Sequence, residues 1–183
     1  MSAGQPWFDA GARTGARLAP RPDEVDRIVA AWERERPDLD PEPLGVFSRV
    51  SRLARHLDLA RRTAFTDHGL EAWEFDVLSA LRRAGAPYEL TPGQLISQTL
   101  VSSGTMTNRV DRMVAHGLVQ RSPDARDRRV VRVGLTPAGR QRVDAAMADL
   151  LASERQVLGS LSPAQRYQLM DLLRALLLPF DDA

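Results

Sequence analysis

The chain has 183 residues, of which 43% are hydrophobic and only 5% aromatic, and its net charge is +1. That length suits one compact domain, or one domain with a helical extension, and the abundance of Ala and Leu over aromatics favours helix packed on helix. There is no Cys, so disulfide scaffolding, thiolate zinc sites, cysteine nucleophiles and thiol redox sensing are excluded together.

Residues 1–21 are rich in Gly, Ala, Arg and Pro without a sustained period and are expected to form a flexible tail. Neither this segment nor any later one carries an apolar run of signal-peptide or membrane-span length, so a cytoplasmic protein without membrane contact is expected. Pro22 and Asp23 open a short helix with Val25, Ile28, Val29 and Trp32 on one face, and it must stop before Pro37, whose ring disfavours helix in the residue ahead of it. After the turn-rich PDLDPEPLG, the positions Val46, Val50, Leu53, Leu57, Ala60 and Ala64 alternate steps of four and three. This is one seam of a long helix from Leu44 to His68, stopped by Gly69. A third helix is predicted from Glu71 to Ala84, burying Phe75, Leu78 and Leu81 and ending at Gly85, with AGAPYEL as a loop behind it.

Thr91 and Pro92 start the next helix, because a Thr oxygen can accept a free amide hydrogen and Pro has none to satisfy. It runs to about Gln98. Ser102 or Ser103 caps a further helix with Met106, Val110, Met113 and Val114 on its apolar side and Gly117 at its end, which makes two short helices joined by a tight turn. Leu118 to Arg121 and Arg129 to Leu135 read as two strands around the hairpin loop PDARDR. Thr136 and Pro137 open a helix carrying Val143, Met147, Leu150 and Leu151, and Ser162, Pro163 and Gln165 form the capping box of a last helix with Leu169, Leu172, Leu173 and Leu176. The predicted fold is mainly α, six or seven helices with a two-stranded β-wing: a winged helix-turn-helix.

From Thr99 to Arg142 there are nine Arg against three Asp and no Glu. A basic block inside a near-neutral chain is the pattern of a face that meets a polyanion. On the second short helix, the apolar seam leaves Ser103, Thr105, Thr107, Asn108 and Arg112 outward. Hydroxyls bond either kind of base edge, Asn suits adenine, and Arg112 can reach a phosphate, while Ser102 and Gly104 lie in a first turn whose free amides attract phosphate. Arg126, Arg128 and Arg129 crowd the hairpin, where a flexible tip can place an Arg in the adjacent minor groove. Taken singly, the polar face reads equally as a solvated helix and the hairpin as an ordinary charged loop. Their adjacency argues for double-stranded DNA as the partner.

The run from LTPGQL through SSGTMTNRVDRMVAHGLVQRSPDARDRRVVRVGLTPAGR resembles the core of the MarR family. The wing motif Asp-x-Arg-Asp, here Asp124, Arg126 and Asp127, precedes Leu-Thr-x-x-Gly, here Leu135, Thr136 and Gly139. The resemblance implies a ligand-responsive transcriptional regulator, expected to repress, that binds a pseudo-palindromic operator as a homodimer and leaves it when a small molecule binds. It also implies a division into N-terminal helices for dimerisation and ligand (22–70), a winged helix-turn-helix (71–136) and C-terminal dimerisation helices (137–183). The leucine-rich last helix fits this, having more apolar surface than one small lobe can cover, with ordinary core as its other reading.

The extra helix bearing AWERERPDLD resembles the urate-responsive branch of the family. By that resemblance Trp32, Asp76 and Arg109 stand where the ligand is held, an indole to stack on a flat heterocycle, a carboxylate for a ring N–H and a guanidinium for the negative charge. Ala84 departs from the branch, which carries Asn there, so the expected effector is anionic or planar, urate or a related metabolite. Trp32 as core, Asp76 as a salt-bridge partner and Arg109 as a phosphate clamp are the plainer roles of the same residues. No catalytic constellation accompanies them: His56, His68 and His116 have no zinc-protease spacing, and there is no phosphate loop or nucleophile elbow. The chain is therefore not expected to be an enzyme or to need a cofactor or metal. The alternative is a helical interaction module that keeps the fold and regulates through protein contacts.

Overall fold

The computed structural model describes residues 21–181, and the expected N-terminal tail lies almost entirely outside them. The elements are α1 (Glu24–Glu35), α2 (Glu42–Thr66), α3 (Ala72–Arg83), β1 (Glu89–Leu90), α4 (Pro92–Thr99), α5 (Ser103–Ala115), β2 (Val119–Pro123), β3 (Val131–Leu135), α6 (Pro137–Val157) and α7 (Pro163–Asp181), with a 3-10 turn at Leu158–Ser160. The chain divides into two compact units, one ending at Leu53 and the other beginning at Ala54, so α2 contributes to both.

In the first unit, α1 starts on a capping box. The Asp23 carboxylate accepts the Asp26 amide at 3.0 Å and the Asp26 carboxylate accepts the Asp23 amide at 2.7 Å. Arg49 of α2 donates to both carboxylates, which holds Asp23 well below the ordinary aspartate range, at about 2. Of the predicted apolar face only Val25 is buried; Ile28 and Val29 are half-buried and Trp32 is exposed. The α2 seam is likewise uncovered over its first half, with Val46, Val50 and Leu53 exposed, and becomes buried only at Ala64.

The second unit carries a continuous core. Phe75, Leu78 and Leu81 of α3 pack with Leu95, Met106, Val110, Met113, Val133, Val143 and Leu150, and the rings of Phe65 and Phe75 stack at 4.0 Å. Burial of each such side chain contributes about 1.5–3 kcal/mol. Gly69, Gly85 and Gly117 all take left-handed φ values, as their helix-ending positions require.

The loop predicted over AGAPYEL needs correction at its end. Glu89 and Leu90 form β1, which pairs antiparallel with β3 in the registers Glu89 to Gly134 and Leu90 to Val133, so the sheet has three strands in the order β1-β3-β2. Two residues are too few to show a period-two pattern in sequence. Gly134 permits the close approach, since a β-carbon there would lie 2.9 Å from the Glu89 side chain.

Candidate nucleic-acid interface and adjoining cavities

The helix pair α4 and α5 is set by its caps. The Thr91 hydroxyl accepts the Gln94 amide at 3.3 Å while the Gln94 side chain accepts the Thr91 amide at 2.9 Å. Leu100, left-handed at φ 52°, ends α4 and stands almost fully exposed in the turn. Ser102 is the N-cap of α5: its oxygen accepts the Thr105 amide at 3.4 Å and lies 2.9 Å from the Thr105 hydroxyl. Met106, Val110 and Met113 are buried, which turns Ser103, Thr105, Thr107 and Asn108 to solvent as a continuous polar row. Thr107 donates its hydroxyl to the Ser103 carbonyl at 3.1 Å, leaving its oxygen free to accept.

Two arginines of α5 have partners that local spacing does not reveal. Arg112 is exposed but donates to Glu71 at 2.6 Å and lies over the Trp73 ring at 4.8 Å. Arg109 lies over the same ring at 5.4 Å. The Trp73 indole N–H donates to the other Glu71 oxygen at 2.6 Å, and this bond, with the charge and hydrogen bond of Arg112, keeps the Glu71 carboxyl below its ordinary range. Beside it, Glu74 is buried, accepts the Glu71 amide at 3.0 Å and faces His116 Nδ1 at 3.0 Å. The start of α3 thus grips the middle and end of α5. Of this cluster only Arg109 and Arg112 are expected from sequence; the signal for the rest is the run Glu71, Trp73, Glu74 at a helix start, which also suits a plain solvated turn.

The wing is organised by the first residue of its motif. Asp124 accepts the amides of Arg126 and Asp127 at 2.8 and 3.2 Å with one oxygen and the Arg132 guanidinium at 2.5 Å with the other. Those donors hold its carboxyl at about 2. Asp127 accepts the Arg129 amide at 3.0 Å. The turn is therefore fixed by aspartates, and the side chains of Arg126, Arg128 and Arg129 stand exposed around it. Arg121 of β2 pairs with Asp111 of α5 at 2.6 Å, which ties the wing to the helix.

The Leu-Thr-x-x-Gly segment joins the wing to α6. The Thr136 hydroxyl accepts the Gly139 amide at 3.0 Å and lies 2.7 Å from the Gly117 carbonyl, to which it donates. A β-carbon at Gly139 would sit 2.0 Å from the Leu118 carbonyl oxygen. Only glycine lets α6 start this close to the residue that begins the wing.

Asp76, exposed on α3, lines two cavities that share Phe75, Asp76 and Met147. One, of about 480 Å³, is bounded by Arg61 and Arg62 of α2 and by Leu150 of α6. The other, of about 300 Å³, runs under the turn between α4 and α5. Arg109, expected beside Asp76, lines neither and is engaged with Trp73 instead. Trp32 sits on α1 in the first unit, about half exposed at 47%. Ala84 ends α3 and is exposed. Among the described residues no cluster of His, Asp and Glu is arranged to hold a metal ion, and no helix is long and apolar enough to cross a membrane.

Residues 68–130 match the MarR family. The chain is 37% identical over 150 residues to the HTH-type transcriptional regulator PecS of Dickeya dadantii, an alignment covering 82% of this chain and 90% of PecS. Among solved structures it is similar to Bordetella bronchiseptica BpsR, studied for regulation of its DNA binding by 6-hydroxynicotinic acid, with 29% identity, a TM-score of 0.59 and coverage of 72% of this chain and 91% of that one. It is also similar to a mutant MarR from E. coli complexed with operator DNA, at 25% identity, a TM-score of 0.61 and coverage of 75% and 96%.

Proposed function

The chain belongs to the MarR family of transcriptional regulators, and from that premise we propose that it represses transcription as a homodimer on a pseudo-palindromic operator and is released by a small anionic or planar ligand. The observation that carries the reading is the outward row Ser103, Thr105, Thr107 and Asn108 on α5, set beside a wing whose turn presents Arg126, Arg128 and Arg129. A major groove admits such a helix, hydroxyl and amide groups suit base edges, and guanidinium groups suit phosphates or a narrow minor groove. Arg112 serves here as the phosphate contact that exchanges Glu71 for DNA.

The second copy is argued from α7. Its Leu173, Leu176, Leu177 and Phe180 are all exposed in the single chain, an apolar surface that isolated soluble domains rarely leave uncovered. Two copies joined through it would present two reading helices to half-sites about 34 Å apart. For the effector, the Asp76 cavities supply a carboxylate, guanidinium groups and aromatic walls, and the DNA binding of BpsR is regulated by a planar heterocyclic acid. Urate and related heterocycles fit the same chemistry, although Ala84 offers no amide.

Electrophoretic shift with the DNA upstream of the protein's own gene, repeated across a salt titration, tests the reading. Binding that falls steeply with salt is expected, about one counterion for each phosphate contact; salt-insensitive or absent binding contradicts it. Arg109, on the reading helix, is proposed as the link from effector to DNA: a ligand that draws its guanidinium inward, off the Trp73 ring, tilts that helix. Arg109→Ala is expected to abolish ligand-induced release, and unchanged release would remove Arg109 from the mechanism.

A further inference from the structure

Two cations of α5 are gathered on one indole of α3. Arg112 lies over the Trp73 ring at 4.8 Å and Arg109 at 5.4 Å, and the two arginines stand three residues apart, nearly one helical turn. Like charges brought together in this way repel, and the negative face of the ring offsets part of that cost. The Trp73 side chain is half-buried and packs against the core, which makes it a fixed support for both. All three residues belong to the second unit.

How a guanidinium is held decides what it can still bind. A carboxylate takes its N–H edge, whereas an aromatic ring takes its flat face and leaves the edge to other acceptors. Arg109 makes no side-chain hydrogen bond or ion pair among the described residues, so its N–H edge is open to an incoming anion. Arg112 gives its Nη2 to Glu71 at 2.6 Å, and the same carboxylate accepts the Trp73 indole N–H at 2.6 Å. When Arg112 exchanges Glu71 for a phosphate, the carboxylate stays with the indole and the ring keeps its hold on the guanidinium. As core filler Trp73 would need only its apolar volume, most of which a leucine or methionine also supplies.

We propose that Trp73 is a positioning residue for DNA binding: its ring is the rest on which Arg109 and Arg112 lie side by side, with N–H edges directed to backbone phosphates as α5 enters the groove. The ring itself touches no DNA. It acts by ordering two long side chains before the duplex arrives, which removes a cost that binding would otherwise carry for each of them. Because phosphates carry no sequence information, this contribution is the same for the operator and for unrelated DNA, and it adds to affinity without adding to discrimination. The inference rests on the DNA-binding reading above and extends it to a residue of α3, outside the helix pair and the wing.

The test uses the full chain and two duplexes of equal length, one from upstream of its own gene and one unrelated, with anisotropy titrations across a salt series. Trp73→Leu is expected to lose about ten-fold or more on both duplexes, with a salt slope shallower by about one counterion or more. Trp73→Phe keeps a ring face and is expected to stay within about three-fold of wild type and to keep its slope. Trp73→Met, melted and titrated beside Trp73→Leu, guards against a folding defect and is expected to behave as the leucine variant does. Replacing Trp73 by Leu in a chain already carrying Arg109→Gln and Arg112→Gln is expected to cost nothing further, because the ring then has no cation to hold. An undiminished loss in that background overturns the proposal and marks the ring as packing alone, as does a loss in Trp73→Leu with the wild-type salt slope, or a phenylalanine variant no better than the leucine one. Wild type that binds neither duplex defeats the DNA reading itself, whereas wild type that binds, with Trp73→Leu indistinguishable from it, defeats only the role given to Trp73.

Discussion

Asp124 receives three donors, two backbone amides and one guanidinium, and it is the residue on which the wing turn depends. Its carboxyl is held down from an ordinary 3.8 to about 2. A lowered folded value means that the stabilisation is complete above the ordinary value and is lost as pH falls through the window between the two. Amide-exchange protection of the wing turn is therefore expected to survive to about pH 4 and to disappear toward pH 2, whereas protection that is flat across this window would show that the carboxylate does not hold the turn. Asp124→Asn should loosen the turn at neutral pH and weaken operator binding about ten-fold, measured by fluorescence anisotropy. Glu71 acts in the opposite sense, because it pairs with Arg112 on the helix proposed to read DNA. Glu71→Gln is expected to tighten binding several-fold and steepen its salt dependence by about one counterion, and weaker binding would show that Glu71 positions Arg112 rather than restraining it. The outward positions on α5 were legible in sequence because they follow from one helical period. Their partners were not, since Glu71 lies 41 residues before Arg112 and meets it only through the packing of α3 on α5.

The elements around the site follow from caps and glycines more than from propensity. Gly139 brings α6 to within contact of Leu118, and any β-carbon there collides with the Leu118 carbonyl, which accepts the Thr136 amide at 3.2 Å. Gly139→Ala is expected to cost about 3 kcal/mol. That corresponds to a fall in melting temperature of roughly 10 °C by calorimetry, and a change under a degree or two would mean that α6 can shift freely. Most helices could be read from the chain because each carries an apolar period with a start or stop signal, glycine stops following α2, α3 and α5, and the two wing strands could be read from the turn-rich loop between them. Helix starts at Thr91, Ser102, Thr136 and Ser162 each bond as their capping chemistry requires. The strand at Glu89–Leu90 could not be read, because its existence depends on Gly134, which stands far along the chain and leaves room for it.

For the whole molecule, the apolar seams read from sequence on α2 and α7 are real as patterns but are uncovered in a single chain. Sequence periodicity marks a face for burial without saying what buries it, and a second copy is the covering proposed here. Leu173→Glu combined with Leu176→Glu on α7 is expected to convert a dimer to monomer by analytical ultracentrifugation and to weaken operator binding by at least ten-fold; a monomeric wild type would refute the pairing. The central claim is that the polar row of α5 reads bases. Its most direct measurement is the affinity of a Thr107→Ala, Asn108→Ala double variant for the operator and for unrelated DNA, by fluorescence anisotropy at fixed salt. Each lost base contact is worth about 1–3 kcal/mol, so operator affinity should fall roughly 30-fold or more while binding to unrelated DNA and its salt slope stay as in wild type. Equal affinity of the variant and wild type for the operator would contradict the account.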